Sequence, residues 1–452
     1  MRFHVSSLFV LITPLVIAFP GHAHLSSHEH ARRADVLTSL VGSLQGDDDH
    51  GLIRLVDELK TNLEDVVIPG SSTGPIDVSG EHAFQAPGPT DQRGPCPALN
   101  ALANHGYISR NGITSLLTVL PAIVRVYGMG LDVGLILTVM GVVWSGNLLS
   151  LEPSFSIGGS DPRVQNALGN VLGLLNSPQG IDHSHNIIEA DSSPTRDDLY
   201  VHNNAWTMNI THFQEWHDMA DANGVISFDS TVKFASKRFN DSVATNPYFY
   251  YGPFTGAIAR NAGYLFASRI LANHTDNGDT AVLNQETLKS FWAVTTNPDG
   301  SLTYTEGHER IPPNWYRRSV SYGVTQINLD VVGMGLRYPE LISIGGNTGT
   351  VNSFAGINPA DIVGSALNTA NLLEGNNLLC FALEAVRVAS PNYLANLFST
   401  ISLPLNLIYN ILKTPLLNLA CPTLDDLTYG GQPLLTALQE KYPGAKWSGK
   451  AL

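Results

Sequence analysis

The chain is short of cysteine, of charge and of uninterrupted apolar runs, and each shortage narrows what it can be. Three cysteines in 452 residues cannot frame a disulfide-stapled miniature fold. None of them has another Cys or a His at metal-binding spacing, which argues against a structural zinc site. Charged residues make up 14%, where ordinary globular chains carry roughly 25%. The balance is acidic, −14 at neutral pH. Sequence-independent binding to DNA or RNA needs a basic footprint, so no nucleic-acid partner is expected. The most apolar stretches, "GITSLLTVLPAIVRVYG" and "GLDVGLILTVMGVVWSG", could pass for a membrane hairpin, but Pro121, Arg125 and Asp132 interrupt them. Buried core helices are expected there, with no membrane span in the mature chain. Also missing are a Gly-x-Ser-x-Gly elbow and a His-Glu-x-x-His helix. The Gly-Met-Gly triplets at 128–130 and 333–335 lack the third glycine of a dinucleotide motif.

What is present begins with an address. Arg2, an apolar run over 5–17 and small residues at 21–23 predict a signal peptide over 1–23. Arg32-Arg33 is a dibasic site, which makes 24–33 a pro-segment and starts the mature chain near Ala34. His22, His24, His28 and His30 could hold a metal as a tract, but they fall in the part expected to leave. The expected destination is the secretory pathway or the exterior. The triplets at Asn209, Asn240 and Asn273 are glycosylation acceptors consistent with that route. In an oxidising compartment Cys380 and Cys421 would pair across a long loop and leave Cys96 as the odd thiol. The alternative pairs Cys96 with one of them and leaves a different orphan.

With 43% hydrophobic residues the chain can build one large core or two smaller ones. An amphipathic extension and a Pro/Gly/Ser-rich linker occupy 34–80, and the domain runs over 81–440. Helical spacing predicts helices over 98–105, in the two apolar stretches above, and in "DPRVQNALGNVLGLL", where Asp161 and Pro162 form a start signal. More follow over 213–223, 230–239, 256–271, 285–294, 359–373 and 433–441. "SLTYTEG" is the best hairpin candidate. The expected fold is mainly α, a single compact multi-helix domain with long loops and little β. Oligomeric state is not legible.

The chemistry starts at "RGPCPALNALANHGYISRNG", residues 93–112. Pro97 suits the first helical position, which puts Cys96 at the helix start with free N–H groups and the positive helix end facing its sulfur. Both favour thiolate. A nucleophile would want a nearby base, and His105 lies more than two turns on. A single thiolate is enough, however, to ligate haem iron from one side.

The extended stretch resembles the proximal segment of the fungal haem-thiolate peroxidases, the chloroperoxidase and unspecific peroxygenase family. By that resemblance Cys96 is the axial ligand of a b-type haem. "HSHNIIEADSSPTRDDLY" resembles the family's Glu-x-Asp-x-Ser segment, which implies that Glu189, the carbonyl of Ala190 and Ser193 hold a magnesium or manganese ion, with Asp191 organising the turn. "RFNDSVATNPYF" also resembles the family, as scaffold. The implied activity is a peroxidase or peroxygenase using hydrogen peroxide on a small organic substrate, as in fungal secondary metabolism, within a chloroperoxidase-like fold. Residues around Phe254 and Tyr264 would line the substrate channel.

One family feature is missing. Peroxide cleavage needs a group that moves a proton between the two oxygens. Relatives use a distal Glu with Arg or His. Here Ala190 takes the place of that His, and the corresponding Arg and Glu positions fall near Thr255 and Ala262. Arg260 is the only ionisable residue besides tyrosines in "YYGPFTGAIARNAGYLF". "TYTEGHERIPPNWYRR" offers Glu306, His308 and Glu309 as substitutes. The gap leaves open an alternative: a haem-thiolate dehydratase or isomerase, or a haem-binding module without catalysis.

Overall fold

The computed structural model describes residues 74–147, 153–164, 178–274, 281–358, 361–363 and 428–446. The expected signal peptide, pro-segment, histidine tract, most of the N-terminal extension and the Cys380–Cys421 pair lie outside the described residues. Among the described residues the helices longer than one turn are α1 (Pro97–Asn104), α2 (Leu116–Tyr127), α3 (Leu131–Ser145), α4 (Ile210–His217), α5 (Phe228–Thr245), α6 (Asn261–Arg269), α7 (Gln285–Phe291), α8 (Val324–Arg337) and α9 (Leu434–Lys441). A π-helical turn, Thr255–Arg260, leads directly into α6. Strands are two or three residues long, in sheets of two or three. The fold is mainly α, with long loops and little β.

The two apolar stretches form α2 and α3, which pack on each other. Each interruption has its own explanation. Pro121 lies inside α2, and Arg125 reaches solvent. The Asp132 carboxylate accepts from the N–H of Val133 at 2.8 Å and of Val324 at 3.0 Å, so it serves the first turns of both α3 and α8. Gly128 joins α2 to α3 with φ +67°, and a Cβ there would stand 2.9 Å from the carbonyl of Arg318. Among the described residues no helix is long and apolar enough to cross a membrane.

Several boundaries differ from expectation. The helix expected over 213–223 is Ile210–His217, because Asn209 caps the N–H of Thr211. The one expected over 230–239 runs over Phe228–Thr245, started by Ser227 bonding the N–H of Ser230. Within "DPRVQNALGNVLGLL", Asp161 accepts from the N–H of Arg163 at 2.9 Å and forms a turn; residues 165–177 lie outside the described residues. Of the helix expected over 359–373, the described part includes Ile362–Val363, which is instead a strand paired with Thr428–Tyr429. Two adjacent β-branched residues fit that ladder. The expected hairpin forms between Val294–Thr296 and Leu302–Tyr304.

Helix α8 was not expected. Its two glycines lower helical propensity, yet a Cβ on Gly335 would stand 2.6 Å from the side chain of Ile342. Gly335 therefore allows the following turn, Pro339–Ile342, to fold tightly back on α8. The core behind the site is aromatic. Trp216 stacks on Phe234 at 5.6 Å and meets Trp292 edge-on at 5.4 Å. That mass holds α4, α5 and α7 together behind the residues that line the cavity described next.

Candidate active site

Cys96 is the N-cap of α1, with φ −91° and ψ 105°, and Pro97 is the first helical residue. The N–H groups of Ala98 and Leu99 lie on the side of its sulfur and favour its charged form, without closing a capping hydrogen bond. Burial pushes the thiol pKa up, and the two N–H groups and the charge of Arg196 only partly oppose it. A metal that binds this sulfur must therefore displace its proton. Tyr127 of α2 donates to the carbonyl of Ala98 at 2.8 Å, which pins the first turn.

The polar residues of "NALANH" form a clamp. Asn100 bonds both main-chain groups of Gly94, accepting at 3.1 Å and donating at 2.9 Å, and donates to Glu309 Oε1 at 3.0 Å. Asn104 donates to the carbonyls of Gly307 and Glu309 and accepts from the Arg93 guanidinium. His105 Nε2 accepts from the N–H of Ile311 at 3.1 Å, and Nδ1 donates to the carbonyl of His82 at 2.7 Å. Those partners leave the ring neutral. All three side chains are buried. Together they tie the turn before Cys96 and the loop 307–311 to α1.

The second segment forms a tightly bonded turn. Ser192 adopts φ +57°, and its carbonyl accepts from Tyr264 at 2.8 Å and from Arg260 at 3.0 Å. Asn246 donates to both Asp191 and Asp198 at 3.0 Å, and Arg238 donates to the carbonyls of Ser193 and Arg196. The third family-like stretch, home of Arg238 and Asn246, thus holds the second in place. Glu189 pairs through one oxygen with His185 at 2.6 Å, and its Oε1 is buried with no hydrogen-bond partner. Burial works against charge on His185, but Asp191, Glu189 and Asp198 outweigh it and lift its pKa to about 9. Among the described residues no group of three His, Cys, Asp or Glu side chains is placed to hold a metal. An oxygen set drawn from one carboxylate, one carbonyl and one hydroxyl is of another kind.

Cys96, Glu189, Ala190, Ser193 and Arg196 all line one cavity of about 310 Å³. Its walls are mostly aliphatic and aromatic side chains from α2, α3, the π-turn, α6 and the start of α8. Phe254, Ile258 and Phe266 represent that surface. Among the described residues Glu189 is the only carboxylate in the lining. Arg260 also lines the cavity, but its guanidinium is spent on Ser192, Ala235 and Asn261 and lies over the Tyr264 ring at 4.5 Å. It braces the 189–196 turn.

The structure does not bring Glu306, His308 or Glu309 to the cavity wall. Glu306 is exposed and accepts from Thr207 at 3.1 Å. His308 packs against Phe84 at 5.9 Å. Glu309 is buried on the α1 side, bonded to Asn100. Tyr264 does not line the channel either: its hydroxyl is committed to Ser192, whereas Phe254 does reach the cavity. The expected acceptors differ in exposure. Asn209 donates from Nδ2 to both oxygens of Asp197, Asn273 accepts from the N–H of Tyr316, and Asn240 is exposed. Sequence reasoning missed Arg196 as a lining residue beside Cys96, although it stands within the second segment.

The description "Peroxidase, family 2" matches residues 82–320, more than half of the chain. An aromatic peroxidase of Fusarium equiseti is 50% identical over 98% of this chain and 98% of its own. The dothistromin biosynthesis peroxidase of Dothistroma septosporum is 42% identical over 71% of this chain and 75% of its own. An aromatic peroxygenase of Cyclocybe aegerita is 27% identical over 67% and 82%. The signature that drew Cys96, the 189–193 turn and the 238–249 segment together lies inside the matched region, and the chain belongs to peroxidase family 2, the haem-thiolate peroxidases and peroxygenases.

Proposed function

We propose that Cys96 is the axial ligand of a b-type haem, that Glu189, the Ala190 carbonyl and Ser193 hold one magnesium or manganese ion beside it, and that hydrogen peroxide is used to oxidise a small apolar organic molecule. The observation that carries this reading is the placement of a sulfur at a helix N-terminus in the wall of a largely apolar cavity, beside a carboxylate. The donors suit the groups. A thiolate fits iron, and Glu189 Oε1, buried without a partner, is an oxygen that a hard cation would satisfy. When bound, haem supplies the redox chemistry with peroxide.

The chain supplies the rest. The N–H groups of Ala98 and Leu99 favour negative charge on Cys96 against the cost of its burial. The cation offsets carboxylate charge in a site where bare anions are costly to bury. The walls around Phe254, Ile258 and Phe266 exclude water and favour an apolar substrate. No acid stands on the α6 wall, and Glu189, the carboxylate in the lining, is committed to the cation and to His185 in this reading. A role in fungal secondary metabolism is supported by the relative named for dothistromin biosynthesis. Entry into the secretory pathway is supported by the apolar run over 5–17.

The test is spectroscopic. Purified protein should show a Soret band and, when reduced under carbon monoxide, the red-shifted band of thiolate ligation. Cys96→Ala should lose that band and peroxide turnover together. A variant that keeps both removes Cys96 from the role.

A further inference from the structure

Glu309 is 1% exposed, 213 residues from Cys96 in sequence, and outside the cavity wall. Its Oε1 accepts from Asn100 at 3.0 Å, and its Oε2 is buried with no hydrogen-bond partner. Asn100 in turn grips both main-chain groups of Gly94, two residues before Cys96. Asn100 is the fourth residue of α1, so its amide is the rigid link between the helix and the turn that presents the sulfur. The main chain of Glu309 is held independently, by Asn104. The carboxylate is therefore not needed to keep the loop in place, and its bond to Asn100 has a separate role. Burial raises the Glu309 pKa, opposed by the Asn100 bond and the charges of Arg196 and Arg93.

We propose that Glu309 is a positioning residue for Cys96: by fixing the Asn100 amide, it sets the Gly94–Cys96 turn in the one geometry that aims the sulfur into the cavity. The two bonds to Gly94 set which way the Asn100 amide faces, and Glu309 takes the remaining Nδ2 hydrogen and holds the side chain there. Without it the amide loses one of three anchors, its hold on Gly94 weakens, and the turn loosens next to two prolines that cannot supply replacement N–H groups. The inference rests on Cys96 being the iron ligand only for its spectroscopic consequence; the clamp itself does not depend on haem.

Two variants separate the role from simple destabilisation. Glu309→Ala removes the acceptor, whereas Glu309→Gln keeps an oxygen for Asn100. Amide hydrogen exchange at Gly94, Ala98 and Leu99 should speed up about tenfold in Glu309→Ala, the scale of one buried hydrogen bond, and return close to wild type in Glu309→Gln. The reduced carbon monoxide complex of Glu309→Ala should show a mixed Soret band, part of it without thiolate ligation, and Glu309→Gln should restore a single red-shifted band. Asn100→Ala should reproduce Glu309→Ala, and the double variant should be no worse than either. Unchanged exchange in Glu309→Ala, or a Glu309→Gln variant as loose as Glu309→Ala, overturns the proposal. A wild-type protein without the thiolate band would refute the Cys96 reading instead, and leave the exchange result to decide the clamp.

Discussion

At the scale of single residues, the site is built mostly from side chains that do no chemistry. Asn100, Asn104, Asn246, Arg238 and Arg260 hold main-chain groups in place, so that Cys96 and Glu189 present their reactive atoms to one cavity. A different residue sets an acid limit on the fold. His274 is 2% exposed, and its Nε2 donates to the carbonyl of Arg269. Burial, with the charges of Arg318 and Arg269, lowers its pKa to about 4. The unfolded chain binds that proton near pH 6.5, so it holds more protons than the folded chain between about 6.5 and about 4. Stability from this group is complete above that window and falls as pH drops through it, by on the order of 3 kcal/mol at about 1.4 kcal/mol per unit. Thermal unfolding followed from pH 7 to pH 4 should show a steeper decline in wild type than in His274→Gln.

At the scale of elements, close approach decides what sequence pattern leaves open. Of the two glycines in helix α8, Gly335 is required because it faces Ile342. Gly335→Val should overpack that contact and destabilise by roughly 2 kcal/mol, beyond the gain in helical propensity. Ile342→Ala should relieve it in the double variant, as denaturant midpoints would show. The cap of α4 gives a second prediction. Asn209 is half-buried, accepts from the N–H of Thr211 and donates to Asp197, whereas Asn240 is exposed on α5 and its Nδ2 donates to the carbonyl of Ser236 one turn back. In protein secreted from a glycosylating host, peptide mass spectrometry should find a glycan at Asn240 and none at Asn209. A glycan on Asn209 would require the α4 start to open.

At the scale of the whole molecule, three stretches far apart in the chain converge on one cavity. The 93–112 stretch supplies the sulfur, 183–200 the carboxylate turn, and 238–249 the groups that fasten that turn. The cation we place at Glu189 binds the folded chain alone, so it should add to global stability. At a hundredfold excess over its Kd the contribution is about 3 kcal/mol. A chelator should lower the Tm of wild type and release haem, and the Tm of Glu189→Gln should not respond. Equal responses of the two proteins would place the cation elsewhere.

The three family-like segments were legible in the sequence because each depends on local chemistry. Pro97 presets a helix start, which fixes where Cys96 must stand, and Glu189 and Ser193 sit on one short turn. The mainly helical class followed from spacing of apolar residues. Glu309 was legible as an acid but not as a neighbour of α1, because its partner Asn100 is 209 residues away. Helix α8 was hidden because propensity penalises its glycines, while the packing that favours Gly335 involves Ile342, beyond the helix end. Which acids reach the cavity was likewise settled by the tertiary structure alone, since side-chain direction depends on packing across the whole core. Local geometry can be written in a few consecutive residues, whereas convergence of distant ones is a property of the folded chain.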